Sequence, residues 1–542
     1  WFGQGKGSIG QGNLNPEVHS SEERADMREL AKINKVTLST HASMNIGSLS
    51  GLTKEGFSKE AQEATKHEVD RAISFAADVA QGGPVVVHVG EFQRPVFEAE
   101  KRFGSTDEFF ESTEKEKEKA PIFLVDKDSG RFRPLSREAT VHIEVVDAAG
   151  NVIRDEYGRA KLKEKKIYEL EKEAEARGES ITKLYEEINK KDVELAKRES
   201  ERAALEAQRL FQRAEVEARI AIDAATGDRE AVARARSLLE NYGLASVDNP
   251  TEILKKVAAR NKKEAENYMG IAETRNREAI NAEKQLKNTA TVYDYGIKES
   301  AQAIADEAIK AYRIEKERNL PNPLFMAVEN WDPNLYGSHP KELRELIYES
   351  RDKMKERLKV EQKMSDSQAA KVAEEHIKAT FDIGHANFWR KYFKRVEGES
   401  GEQHEARFKS WIMDNVRELT KEGIIGHVHL SDNFGWHDEH LTPGLGNAPI
   451  EEFVKEVSQG KDWKGKMIVE PGGQPEGLAH TALTGTWRQL NTPIYRIDAS
   501  PTSWTEIENS YFANVGPATS HVVGEYVPFK DWSSWSSEIP LE

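Results

Sequence analysis

The chain has 542 residues and a formal net charge of −16 at pH 7, and it contains no cysteine. The lack of cysteine excludes disulfide scaffolds, thiolate zinc sites, iron–sulfur clusters and cysteine nucleophiles, so any bound metal must use His, Asp or Glu. A strongly acidic chain repels nucleic acid and anionic lipid, and no apolar run approaches the ~20 residues of a membrane span. We therefore expect a cytoplasmic protein with no membrane partner and no general affinity for nucleic acid.

Helical and strand patterns alternate in residues 1–119, the first zone of the chain. RADMRELAKIN and KEAQEATKHEVDRAISFAADVA predict helices, and VTLST and PVVVHVG predict strands. This alternation is typical of βα units in a parallel sheet. Residues 120–157 follow with APIFLV, VHIEVVD and a turn at Gly150–Asn151, which predict a small β-hairpin laid over the main fold.

Residues 158–290 are rich in Ala, Glu, Lys and Arg and predict several long helices. Ile181, Leu184, Ile188 and Leu195 form a narrow apolar stripe, which is typical of a coiled-coil hairpin. Two interpretations of this helical arm stay open. It is either a solvated spacer or an arm for docking or homo-oligomerisation.

Strand patterns return in residues 291–500 with LFMAVEN, ATFDIGH, GHVHLSD, KMIVEP and TPIYRI, separated by helical patterns. With the two earlier strands they make seven candidate parallel strands, and an eighth at or before Trp1 would close a barrel. The predicted fold class is therefore α/β: a (β/α)8 TIM barrel with the helical arm inserted between its third and fourth strands. Residues 501–542 form a C-terminal aromatic tail.

His, Asp and Glu side chains stand at the ends of six predicted strands. Because the C-terminal ends of barrel strands converge on one pocket, residues far apart in sequence become neighbours there. Imidazole and carboxylate without thiolate suit Zn²⁺, Mn²⁺ or Fe²⁺. The pattern therefore predicts a divalent metal site, with zinc preferred. The strand-end residues are His41, His88, Glu329, Asp382, His385, His429 and Glu470.

The loop after the strand that contains His429 adds two further candidates, Asp438 and His440. Spacing alone favours an ordinary polar loop pair, but the position beside the other candidates favours metal ligands. His427 shares a strand face with His429, because side chains two residues apart point the same way in a strand. We predict that His427 either contacts substrate or lies behind the metal ligands and supports them.

Seven motifs, STHASMNIG, VVVHVGEF, AVEN, FDIGHA, HVHLSDN, DEHLTPGLGN and IVEPGG, resemble those of the xylose-isomerase-like TIM barrels. This superfamily includes sugar-phosphate isomerases and epimerases together with endonuclease IV. The isomerase branch implies one ion held by Glu329, Asp382, His429 and Glu470. Endonuclease IV implies three zinc ions, held by all nine of the positions His41, His88, Glu329, Asp382, His385, His429, Asp438, His440 and Glu470.

Two features depart from the endonuclease pattern. The chain has His88-Val-Gly where endonuclease IV has His-Pro-Gly, and it has Met44 where that enzyme has a DNA-intercalating tyrosine. The loop sequence DEHLTPG is more similar to the isomerase and epimerase branch than to endonuclease IV. These differences and the acidic charge argue against cleavage of DNA lesions.

Three functions follow, in order of preference. The first is a metal-dependent isomerase or epimerase of a sugar or sugar phosphate, in which Glu329 and Glu470 transfer protons. The second is a phosphodiesterase like endonuclease IV with a multinuclear zinc site. The third is a non-enzymatic scaffold assembled through the helical arm.

Overall fold

A computed structural model describes most of the chain. The described residues are 2–4, 19–43, 46–101, 103, 109–110, 116–145, 147, 151–156, 161–179, 181–244, 246–460, 463, 465–470, 485–487 and 489–490. Within this part of the chain, no helix is long and apolar enough to cross a membrane.

The described strands are β1 (Phe2–Gln4), β2 (Thr40–Ala42), β3 (Gly83–His88), β4 (Ile122–Asp126), β5 (Phe132–Leu135), β6 (Thr140–Glu144), β7 (Leu162–Lys166), β8 (Thr289–Thr291), β9 (Leu324–Glu329), β10 (Ile377–Asp382), β11 (Ile425–Leu430) and β12 (Lys466–Val469). The described α-helices are α1 (Ser21–Ile33), α2 (Lys59–Phe75), α3 (Glu98–Lys101), α4 (Glu116–Lys119), α5 (Ile167–Ala176), α6 (Ile181–Ala225), α7 (Arg229–Glu240), α8 (Pro250–Lys287), α9 (Val292–Arg318), α10 (Pro340–Gln362), α11 (Asp366–His376), α12 (Ile383–Asn387), α13 (Gly401–Lys421) and α14 (Ile450–Ser458). Contacts divide the chain into a first unit, 1–120, 129–132 and 292–542, and a second unit, 121–128 and 133–291.

The first unit is built on a parallel sheet of seven strands in the order β1-β2-β3-β9-β10-β11-β12. Strands such as β3 and β9 are buried on both faces, which is why they read as continuous apolar runs. The predicted α/β class with a parallel sheet is confirmed. In sequence, the second unit lies between the third and fourth strands of this sheet.

Two strand predictions need correction. The sheet contains a strand at Phe2–Gln4, after Trp1 rather than at or before it, and this strand pairs with β2. The strand predicted at VTLST is β2, which begins only at Thr40, so that His41 lies inside the strand. The last predicted strand, TPIYRI, lies outside the described residues. Within the described residues, the seven-stranded sheet begins with β1 at one side and ends with β12 at the other.

The second unit contains a three-stranded sheet in the order β5-β4-β8 and the antiparallel pair β6 and β7. The predicted boundary between hairpin and helices is wrong, because β7 falls in the range predicted as helical. Its residues pair with β6 from Thr140 opposite Lys166 to Glu144 opposite Leu162. Pairing with a partner ~20 residues away therefore outweighs the helix propensity of the charged segment.

Long antiparallel helices do form in the second unit, but the predicted apolar stripe is only partly right. Leu184 is buried against α5, and Ile188 packs on the same cluster. Leu195 is 56% exposed, so it does not belong to the buried part of the stripe. The side chain of Ile181 lies outside the described residues.

Helices α6 and α8 pack along a seam of alanines rather than of leucines. Ala258, Ala265, Ala272 and Ala279 are buried at intervals of seven residues along α8. A coiled coil needs a heptad of apolar residues, and alanine lets the two backbones approach closely. The Oγ of Ser200 in α6 donates to the backbone carbonyl of Ala272 at 2.7 Å, which reflects this close approach.

Enlarging one seam residue is expected to destabilise the second unit. Ala258→Leu adds three carbons at a buried position of the seam, so we expect the free energy of unfolding to fall by about 1–3 kcal/mol. The neighbouring Ala259 is exposed, and Ala259→Leu serves as the control, with an expected change below about 0.5 kcal/mol. Urea unfolding followed by circular dichroism measures both. Equal effects of the two substitutions would contradict the alanine seam.

Candidate metal centre

The structure brings all nine predicted ligands together in three groups, each with one ligand atom per residue within 4.8 Å of the others. Glu329 belongs to two of the groups. The first group is His41, His88 and Glu329; the second is Glu329, Asp382, His429 and Glu470; the third is His385, Asp438 and His440.

Strand register places these residues at one edge of the sheet. His88 at the end of β3 stands opposite Glu329 at the end of β9. Asp382 at the end of β10 stands opposite His429 in β11. Because parallel strands that end in register present their last side chains side by side, four strand ends contribute to one site.

Glu329 is fully buried and faces two groups at once. Its Oε2 lies 3.3 Å from Nε2 of His41 and 3.3 Å from Nε2 of His88. Its Oε1 lies 2.7 Å from Nδ1 of His429. The two oxygens of one carboxylate are thus divided between two sets of imidazoles, which is the arrangement of a bridging ligand.

The second group places a further carboxylate on the same imidazole. Glu470 Oε2 lies 3.1 Å from Nδ1 of His429. Asp382 accepts hydrogen bonds from the Ser431 hydroxyl at 2.8 Å and from the backbone N–H of His385 at 2.9 Å. These bonds fix the orientation of the Asp382 carboxylate.

The third group is the least buried. His385 Nε2 lies 3.5 Å from Oδ2 of Asp438, and His440 Nε2 lies 2.9 Å from Oδ1 of Asp438. The Asp438 side chain is 33% exposed. This group therefore lies nearest to solvent among the three.

Backbone carbonyls orient three of the imidazoles. Nδ1 of His41 is hydrogen-bonded to the carbonyl of Ala42, that of His385 to Asn330 at 2.8 Å, and that of His440 to Glu470 at 3.1 Å. Because Nδ1–H donates to a carbonyl in each of these rings, Nε2 is the nitrogen left to bind a metal ion. In all three rings Nε2 points toward the carboxylates of the centre. Hydrogen bonds of this kind are the usual second partners of metal-binding histidines.

The charges and donor set of the centre fit divalent cations. Four carboxylates converge, and in the described part of the chain the buried Nδ1 of His88 and Nε2 of His385 have no hydrogen-bond partner. Burial opposes protonation of His429 and His440, but the adjacent carboxylates outweigh it and raise their pKa values to about 10 and about 9. In the absence of a metal ion, protonated His429 and His440 thus balance the negative charge of the carboxylates.

This competition predicts that metal affinity rises with pH. Because His429 and His440 have raised pKa values, both hold protons at pH 7, and a binding ion must displace them. We expect affinity for Zn²⁺ to increase about tenfold per pH unit for each proton displaced between pH 6 and 8. Calorimetry in buffers of different ionisation enthalpy counts the released protons. An affinity that does not change with pH would contradict the prediction.

His427 belongs to none of the three groups. Its side chain is fully buried, its Nδ1 lies 3.3 Å from the Thr380 hydroxyl, and its ring centroid is 5.0 Å from that of His429. Burial and the neighbouring His429 hold its pKa well below the ordinary value. Contact of His427 with substrate stays a prediction. Met44 lies outside the described residues.

Residues that support the ligands were not predicted from sequence. Asn330 holds both backbone groups of Asp382, donating to its carbonyl at 3.0 Å and accepting from its N–H at 2.9 Å. Trp331 stacks on the ring of His88, with centroids 5.2 Å apart. Asn330 and Trp331 directly follow Glu329, so the available signal was adjacency to a strand-end ligand.

Comparisons with known proteins identify no family. No protein-family model matches the chain, and no curated protein matches it. Among solved structures, the chain is similar to the crystal structure of a D-tagatose 3-epimerase-like protein, with 15% identity over 49% of this chain and 85% of that chain, and a TM-score of 0.21. The candidate centre therefore rests on its own geometry.

Proposed function

We propose that the chain is a divalent-metal-dependent hydrolase of a phosphate ester with a centre for three ions, zinc in preference to Mn²⁺ or Fe²⁺. The division of the two Glu329 oxygens between the first and second ligand groups carries this proposal. A single ion would need only one of those groups. The third group, around Asp438, adds a further set of ligands.

The chain's own residues hold and orient the centre. Glu329 bridges the first two groups, Ser431 fixes Asp382, and the carbonyl of Asn330 fixes His385. Divalent ions held by these residues would supply an activated water nucleophile and would stabilise the charge of a phosphate ester and its leaving oxygen. The acidic charge of the chain argues for a small phosphate ester rather than duplex nucleic acid.

The fold that we propose for this activity is the closed (β/α)8 barrel with the second unit inserted between its third and fourth strands. The seven-stranded parallel order and the common edge of the ligand-bearing strands support it. TPIYRI is the candidate for the eighth strand. Active sites of such barrels lie at the C-terminal ends of the strands.

An isomerase or epimerase of a sugar or sugar phosphate is the second candidate. One observation favours it: Glu329 and Glu470 both contact Nδ1 of His429, at 2.7 and 3.1 Å. Two carboxylates so close to a one-ion site could remove and return the proton alpha to a carbonyl. Sequence favoured this candidate, whereas the bridging position of Glu329 favours the hydrolase.

Elemental analysis combined with two assays separates the candidates. The hydrolase predicts three ions per chain and metal-dependent hydrolysis of bis(p-nitrophenyl) phosphate. The isomerase predicts one ion and exchange of the alpha proton of a ketose phosphate with solvent. His440→Ala sharpens the test, because it removes a ligand of the third group only. Hydrolysis should then fall about 100-fold, whereas alpha-proton exchange would be unchanged.

Assembly through the helical arm stays part of the proposal. Deleting residues 161–287 should lower the number of chains per particle, which is the mass measured by light scattering divided by the mass of the shortened chain, if the arm mediates homo-oligomerisation. An unchanged number of chains per particle would identify the arm as a spacer.

A further inference from the structure

The loop after β11 is closed on itself next to the metal centre. Asp432 and Leu441 exchange two backbone hydrogen bonds, of 3.1 and 2.7 Å, so the loop begins and ends at one point. The Asp432 carboxylate also accepts from the backbone N–H groups of Gly444, Gly446 and Ala448 at 2.8–3.0 Å. The loop therefore has a fixed base. Its interior contains the ligands Asp438 and His440.

Two large aromatic side chains on this loop are exposed. Phe434 is 49% exposed and Trp436 is 60% exposed. The backbone around them is held in place, because Phe434 N–H donates to Glu439 at 3.2 Å and Gly435 N–H donates to Asn433 at 2.8 Å. Single exposed hydrophobic residues are common on protein surfaces. Two large aromatic side chains exposed on one anchored loop are different, because grouped apolar side chains mark interaction sites.

Trp436 lies close along the chain to a ligand of the third group. Trp436 precedes Asp438 by two residues, so their Cα atoms are at most about 7 Å apart. Asp438 belongs to the most exposed ligand group. Phe434 and Trp436 therefore lie on the same loop as Asp438 and His440, the residues of the third group that would hold the ion nearest to solvent.

We propose that Phe434 and Trp436 bind a planar aromatic ring of the substrate, so that the substrate is a phosphate ester bearing a nucleobase. This inference rests on the proposed phosphate-ester function. The faces of the phenyl and indole rings can stack on any of the nucleobases, because every base has a flat π-face. The metal centre binds the phosphate, and the two rings select esters that have a flat group over those that have none.

Binding of two probes to the zinc-loaded full chain tests this inference by calorimetry. Thymidine 5′-monophosphate has phosphate and base, whereas glycerol 3-phosphate has phosphate without a ring. We expect the thymidine probe to bind about tenfold more tightly. Trp436→Ala and Phe434→Ala should each remove most of this advantage and leave the affinity for glycerol 3-phosphate within about twofold.

Tyr348→Ala is the matched control, because Tyr348 is a 42% exposed aromatic residue on α10 and should not change either affinity. Circular dichroism and zinc content verify that each variant is folded and loaded. If glycerol 3-phosphate binds but the thymidine probe gains nothing, or if Tyr348→Ala has the effect of Trp436→Ala, this inference fails and the proposed function stands. If neither probe binds, both fail.

Discussion

Glu329→Gln is expected to remove zinc from more than one ligand group and to abolish hydrolysis. Both carboxylate oxygens face imidazoles of different groups, so the amide supplies at most one weak ligand atom where two charged ones were needed. We expect the zinc content to fall from three ions per chain to one, the ion of the third group, and the rate to fall at least about 1,000-fold. Elemental analysis and the hydrolysis assay on the same sample measure both quantities.

His440→Ala is the control for this experiment, because His440 belongs to the third group alone. The His440→Ala substitution should lower the zinc content from three ions per chain to two. A Glu329→Gln protein that retains two ions would show that Glu329 does not bridge. Equal losses in the two variants would show instead that the three groups bind zinc as one cooperative cluster.

Arg94→Ala is expected to lower the free energy of unfolding of the first unit by about 3–5 kcal/mol. Arg94 and Glu342 form a buried pair, with Nε to Oε1 at 2.6 Å and Nη2 to Oε2 at 2.8 Å. Their side chains are 0% and 1% exposed. Removing the guanidinium leaves the Glu342 carboxylate buried without its cation, and an unpaired buried charge is costly.

Arg344→Ala provides the comparison, because Arg344 pairs with Glu418 at 3.4 Å on the surface with its side chain 38% exposed. An exposed pair contributes about 0–1 kcal/mol, so its loss should barely move the urea unfolding transition. If the two substitutions shift the urea unfolding transition by similar amounts, burial of the Arg94 pair does not increase its contribution to stability. Arg94 follows β3 and Glu342 lies in the first turn of α10, so the pair also holds the chain just beyond the candidate ligand His88.

Local patterns in the sequence were enough to predict the parallel α/β class and the position of the His, Asp and Glu side chains at the C-terminal ends of the strands. Buried parallel strands read as apolar runs, and the polar residue at the end of each run marks where the strand reaches the sheet edge. The identities of the nine candidate ligands follow from this rule together with the motif resemblance. Helix periodicity was likewise enough to predict the long helices of the second unit.

Tertiary structure decided what depends on contacts between distant segments. The pairing of β7 with β6, the exposure of Leu195 and the alanine seam of α6 and α8 follow from partners that no local window contains. The division of the Glu329 oxygens between two groups follows from the register of β2, β3, β9, β10 and β11. A sequence specifies which side chains can bind a metal, whereas only the packed strands determine which of them share one ion, because that depends on distances of a few ångströms.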